Sequence, residues 1–195
     1  MVDKRKWYLF LQGDKDALSC IFLDYHDDLF NYGLKLSGDK DMVKDAIQDL
    51  FLKLWKNRNN LNPIQSIKPY LLKSLRHHVL DSLELRKSWQ RIDTEYESTQ
   101  ITYSHEDFLI NHQMDVEIHQ QVINTLNKLT IRQREAIYLR FFENLDFDTV
   151  AQIMEMNVQS VRNTIHRATQ LMRDLMLHSI FLIMLQQTSS HILCL

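Results

Sequence analysis

The stretch Val150–Ala168, VAQIMEMNVQSVRNTIHRA, reads as two helices folded round a corner. Asp146 stands where it can cap the first helix and Asn157 where it can cap the second, because a short side-chain oxygen accepts from the unpaired amides of a first helical turn. In the second helix Val158, Val161, Ile165, Ala168, Met172 and Leu175 recur at helical spacing and predict a buried stripe. Gln159, Arg162, Asn163, His166 and Arg173 fall outside it, and the small Ala151 permits a close crossing. With Ser160 and Arg167, such side chains reach base edges and phosphates. The pattern is that of a helix-turn-helix with a long recognition helix. Two antiparallel amphipathic helices with a solvated polar face would give the same spacing.

The formal net charge of −2 is the opposite of the basic balance expected of a nucleic-acid binder. The mean hides a pattern. Between Lys53 and Arg91 the bases Lys53, Lys56, Arg58, Lys68, Lys73, Arg76, Arg86, Lys87 and Arg91 are opposed only by Asp81 and Glu84. From Asp93 to Gln121 no Lys or Arg occurs, while Asp93, Glu95, Glu97, Glu106, Asp107, Asp115 and Glu117 do. That acidic run cancels the basic block in the total.

The 195 residues, 45% of them hydrophobic, suffice for one domain or two small ones. Three glycines and two prolines leave too little turn punctuation for a many-stranded protein, so the expected fold is all-α. Cys20 and Cys194 have neither the number nor the spacing of a disulfide framework or zinc site, and no secretory signal opens the sequence. A reducing cytoplasm is the expected compartment.

A helix is expected from about Lys15 to Ser37, ended by Gly38, with Leu18, Ile21, Phe22, Tyr25, Leu29 and Tyr32 as its stripe. A second begins near Asp39 to Asp41 and shows Val43, Ile47, Leu50 and Leu54 on one face. Opposite that face stand Asp45, Gln48 and Asp49, a polar cluster that suits a protein partner. Ser66 can cap a third helix with Pro69 in its first turn and Leu72, Leu75, Val79 and Leu83 as its buried side. On this helix Tyr70, Lys73, Arg76, His77, Lys87 and Trp89 could track a phosphate backbone while rings stack on unpaired bases. A plain solvated face would also carry such charge.

RIDTEYESTQITYSHED shows no period and reads as a linker. A helix is expected from about Asp107 to Lys128, then Thr130 and Gln133 stand at capping-box spacing, opening a helix through Ile137 and Phe141 that ends before Asn144. The apolar tail LMLHSIFLIMLQQTSSHILCL has a main run too short for a bilayer span; core packing, a partner and a membrane surface remain open for it. His105, His112 and His119 recur every seven residues, but no cysteine accompanies them, and no metal or cofactor is expected.

DAIQDLFLKLW, then IKPYLLKSLRHHVLD, then an acidic linker, then LTIRQREAIYLRFFENLDFDTVAQIMEMNVQSVRNTIHRATQLMRDL, in this order and spacing, resembles an extracytoplasmic-function (ECF) sigma factor. The resemblance runs from about Asp14 to Leu175. It implies a region-2 helical domain over 1–91 that binds core RNA polymerase and melts the minus-ten element, and an acidic flexible linker over 92–106. A region-4 helix-turn-helix domain over 107–178 would read the minus-thirty-five element, and an apolar tail fills 179–195. The implied partners are core RNA polymerase, promoter DNA and a membrane-anchored anti-sigma factor, with no small-molecule substrate and no bond chemistry of its own. The linker would thread the polymerase cleft along a path later taken by RNA.

Carried onto this sequence, the resemblance implies that Asp45, Gln48 and Asp49 face polymerase. Lys68, Tyr70, Lys73, Arg76, His77, Arg86 and Lys87 fall to the melted element. Gln159, Ser160, Arg162, Asn163, His166 and Arg167 match the recognition helix, and Arg132 and Arg134 the positions that brace the DNA backbone. Glu155 sits where a turn glycine is usual, although a Cβ resists φ > 0. Thr164 and Thr169 replace common arginines, and His77 a common asparagine. A response-regulator output protein would share the helix-turn-helix, but the first ninety residues lack the alternating strands and helices of a receiver. A helical metal-dependent hydrolase could be imagined from HHVLD, yet its remaining ligands cannot be placed.

Overall fold

A computed structural model describes residues 2–90 and 124–192, with side-chain surroundings over 3–85 and 124–175. All regular structure among the described residues is helical. The chain divides into two compact units, Met1–Ile101 with Ala151–Glu155, and Thr102–Val150 with Met156–Leu195. The expected acidic linker, the histidines 105, 112 and 119, and most of the helix expected over 107–128 lie outside the described residues.

The first unit contains α1 (Val2–Leu11), α2 (Lys15–Ser37), α3 (Lys40–Asn57) and α4 (Ile67–Gln90). Asp14 caps α2 by accepting from the amides of Asp16 and Ala17 at 2.9 and 3.1 Å. Gly38 ends it at φ 69°, its amide donating to the Leu34 carbonyl, the left-handed geometry that a residue without Cβ adopts at no steric cost. Asp39 then caps α3 through the amides of Asp41 and Met42, both at 3.0 Å. These ends set the phase of each helix. Ile21, Leu29 and Tyr32 of α2, Val43, Ile47, Leu50 and Leu54 of α3, and Leu72, Leu75 and Val79 of α4 are buried, as their spacing predicts. Each such side chain contributes about 1.5–3 kcal/mol on leaving water.

No helix is expected from the sequence before Lys15, so α1 is an addition. It buries Trp7 and Phe10, whose rings lie 5.1 Å apart, and the Trp7 indole N–H donates to the Asn62 carbonyl at 3.1 Å. Tyr25 of α2 donates its hydroxyl to Asp3, and Lys6 pairs with Asp24, fastening α1 along α2.

In the second unit residues 124–127 form a helical turn, and Leu126 and Leu129 are buried. Thr130 and Gln133 close a capping box at the start of α5 (Ile131–Ile137). The chain then widens into a π-helical turn, Tyr138–Phe142, closed by the Glu143 amide on the Tyr138 carbonyl at 3.1 Å. Asn144 follows at φ 52°. Helix α6 (Phe147–Met154) starts from Asp146, whose carboxylate accepts from the Thr149 amide at 2.7 Å. Helix α7 (Val158–Ile192) starts from Asn157, which accepts from the Ser160 amide at 2.7 Å. Helix α5 packs on α7, and Ala136, Leu139, Val161, Ile165 and Ala168 are buried. The tail continues α7 to Ile192, but its side chains lie outside the described residues.

Two backbone positions generate predictions. A Cβ at Gly33, in the interior of α2, would lie 2.7 and 3.1 Å from the two γ-methyls of Val43 and 3.4 Å from Leu75. Alanine there gains up to about 1 kcal/mol of helix propensity. Overpacking costs about 1–3 kcal/mol. We therefore expect Gly33→Ala to destabilise the protein by about 1 kcal/mol, and Val43→Ala, destabilising by itself, to be better tolerated in the Gly33→Ala background. Additive losses in denaturant titrations of the two single variants and the double variant would refute the close approach. The second position is Glu155, which turns the chain between α6 and α7 at φ 55° in spite of its Cβ. Glu155→Ala and Glu155→Gly both remove the carboxylate, but only glycine relieves the left-handed strain. The glycine variant should melt roughly 3 °C above the alanine variant, and equal melting temperatures would mean that the turn carries no strain.

Candidate protein- and nucleic-acid-binding faces

Asp45, Gln48 and Asp49 are all exposed on α3, opposite its buried stripe. The structure splits them between two grooves. Asp45 and Asp49 line a polar cleft of about 210 Å³ between α3 and α4, shared with His78 and Ser82. There the Lys53 ammonium lies 3.4 Å from the His78 ring, and burial, then the Lys53 charge, lowers the imidazole pKa from its usual value. Gln48 instead lines an apolar groove of about 440 Å³ between α2 and α3, beside Phe22, Phe51, Leu52 and Trp55. Leu52 is 49% exposed, and Phe22 and Trp55 are half-buried. Of these apolar residues Phe22 is expected in the stripe of α2, whereas Phe51, Leu52 and Trp55 have no expected role. Their signal was the stripe of α3 widening at its C-terminal end, where Leu52 and Trp55 fall outside the heptad-like core spacing.

On α4, Lys73, Arg76 and His77 fall within about one turn and share a helix face, His77 exposed and the other two half-buried. Lys68 is engaged by Asp28 at 2.7 Å. Tyr70, expected as a stacking platform, is half-buried. Its ring meets Trp7 edge-on at 5.3 Å, and burial raises its phenol pKa. Arg86, Lys87 and Trp89 have side chains outside the described residues.

In α7 the outward face is as the spacing predicts. Gln159, Arg162, Asn163, His166 and Arg167 are exposed, and Ser160 is half-buried. The Gln159 amide donates to the Asn163 side chain at 3.0 Å, so neighbouring polar groups one turn apart are already aligned. Thr164 and Thr169, which replace the more basic pattern, bond back to the carbonyls of Ser160 and Ile165 at 2.8 and 3.0 Å. Arg132 is exposed at the first turn of α5. Arg134 departs from its expected place as a second backbone brace: it is only 9% exposed, beside the buried Glu135, and a guanidinium so enclosed does not face a phosphate backbone. At the start of α6 the Asp146 carboxyl is held below the usual carboxylate range, first by the Thr149 amide it accepts from.

Among the described residues no cluster of three metal-ligating side chains occurs, and no helix is long and apolar enough to cross a membrane.

Residues 21–91 match the family model "Sigma-70 region 2" and residues 119–172 match "Sigma-70, region 4". The RNA polymerase sigma factor YlaC of Bacillus subtilis is 24% identical over 163 residues, 79% of this chain and 88% of that protein. The ECF RNA polymerase sigma factor SigX of the same organism is 24% identical over 166 residues, 82% of this chain and 83% of that protein. Among solved structures, the sigma factor RpoE in complex with the anti-sigma factor NepR from Bartonella quintana shares the fold, with a TM-score of 0.62 at 21% identity, over 80% of this chain and 93% of that one. With both regions matched in this order over more than half of the chain, and with relatives that align along most of their own length, the chain belongs to the sigma-70 family and is an ECF sigma factor.

Proposed function

We propose that the two units divide promoter use between them. In the first, Asp45, Gln48 and Asp49 dock core RNA polymerase, and Lys73, Arg76 and His77 of α4 engage the melted minus-ten element. In the second, α7 reads the minus-thirty-five element through Gln159, Arg162, Asn163 and His166, with Arg167 and Arg132 on the phosphates. Arg134 and Tyr70 have no DNA contact in this scheme. The protein works in the cytoplasm, where polymerase and promoter are, and an anti-sigma factor holds it inactive until a signal arrives. The RpoE structure, a sigma factor with its anti-sigma partner, supports that last element. The observation that carries the reading is the outward face of α7, where four hydrogen-bonding side chains stand exposed along two turns over buried Val161, Ile165 and Ala168.

Binding of the holoenzyme to a library with a randomised upstream element tests the second unit. Arg162→Ala or Asn163→Ala should cost about 1–3 kcal/mol on the preferred sequence and relax base preference. Arg132→Ala should weaken all sequences alike and make the salt dependence shallower, because a phosphate contact releases counterions without reading bases. Uniform losses from Arg162→Ala and Asn163→Ala would remove α7 as the reader. For the first unit, replacing Asp45, Gln48 and Asp49 together by alanine should preserve the melting temperature, since all three are exposed. Core polymerase should then co-purify poorly with the triple variant. A folded variant that retains core as the parent does would exclude this face.

A further inference from the structure

Phe147, the first residue of α6, lies half-buried beneath two guanidinium groups. The Arg140 guanidinium carbon is 5.1 Å from the ring centroid and that of Arg162 is 5.4 Å. The two arginines are held differently. Arg140, in the π-helical turn, also donates to the Leu145 carbonyl at 3.2 Å and lies 5.8 Å from the Phe141 ring, so it is fixed to the turn that carries Phe147. Arg162 stands on the exposed face of α7 with its guanidinium over the Phe147 ring. A guanidinium over a ring face is attracted by the ring quadrupole, and its planarity lets it stack where an ammonium would not. A long side chain held this way surrenders less rotamer freedom when it meets DNA. The first position of a helix has no general need for an aromatic residue, so the ring requires a reason of its own.

We propose that Phe147 is a positioning residue for sequence readout: its ring holds the Arg162 guanidinium in place for its base contact, and Arg140 fixes the turn that aims the ring. This rests on the assignment of α7 as the reader of the upstream element. Phe147 itself touches no base. Its effect is therefore confined to the preference that Arg162 confers, which separates it from a residue that merely packs the helix-turn-helix.

The test is a double-variant cycle in the holoenzyme, read as affinity and base preference on a randomised upstream element. Phe147→Leu and Phe147→Met keep an apolar side chain but remove the ring face, and Phe147→Trp restores it. Circular dichroism and melting temperature identify which of the two non-aromatic variants keeps the parent's fold, and that variant is the one read. The non-aromatic variants should lose roughly 2- to 5-fold affinity for the preferred element and flatten preference at the position read by Arg162. Phe147→Trp should behave as the parent. In an Arg162→Ala background the same changes at 147 should have no further effect. If the loss is equally large in that background, or if Phe147→Trp fails as leucine does, Phe147 only packs and the proposal falls. If Arg162→Ala alone leaves base preference unchanged, the assignment of α7 fails first, and this outcome is visible in the single variant.

Discussion

Five helix starts in this protein are settled by a side-chain oxygen that accepts from amides left without partners in the first turn. Asp14, Asp39, Thr130, Asp146 and Asn157 each do so at 2.7–3.3 Å. A helix advances about 100° per residue, so fixing where it begins also fixes which side chains face inward. With Asp39 as cap, Val43, Ile47, Leu50 and Leu54 point into the first unit, and Asp45, Gln48 and Asp49 are left outside. With Asn157 as cap, Val161, Ile165 and Ala168 are buried, and Arg162, Asn163 and His166 stand outward. Both candidate faces are thus by-products of where two helices start. A slip of one residue would turn either face toward its own core.

Charge is arranged on a second scale. The net charge of −2 describes no local surface. Within the first unit Asp45 and Asp49 of α3 share a cleft with His78 of α4, and the Lys53 ammonium, 3.4 Å from that ring, adds to burial in lowering the imidazole pKa. Such a cleft presents carboxylates to a partner without exposing an unbalanced acidic field, which favours specificity over indiscriminate attraction.

The caps of α2, α3 and α7 and the period of α2, α3, α4 and α7 were legible because a polar oxygen followed by an amphipathic stripe is a local signal. Helix α1 was not. KWYLFLQ is apolar on nearly every side, so no stripe stands out, and only the burial of Trp7 and Phe10 against the rest of the unit shows which face is inward. The candidate sites were legible by residue type and less so by exposure. Arg134 and Arg132 look alike in sequence, but the phase set by Thr130 buries one and exposes the other. Tyr70 has the chemistry of a base-stacking ring, and its edge-on contact with Trp7 was not legible in the sequence. The turn at Glu155 was read as the place where glycine would be usual; the backbone keeps the left-handed geometry and the residue bears it.

The π-helical turn at Tyr138–Phe142 has a consequence for chain length. The turn closes on the carbonyl five residues back rather than four, and Arg140 within it reaches both the Leu145 carbonyl and the Phe147 ring. Deleting one residue here would remove that closure and displace Arg140 from the Leu145 carbonyl and the Phe147 ring. Surface connections ordinarily accept insertions and deletions freely. Between Ile137 and Asp146 this one is geared to the helices on either side, so its length is as constrained as the identity of any buried residue.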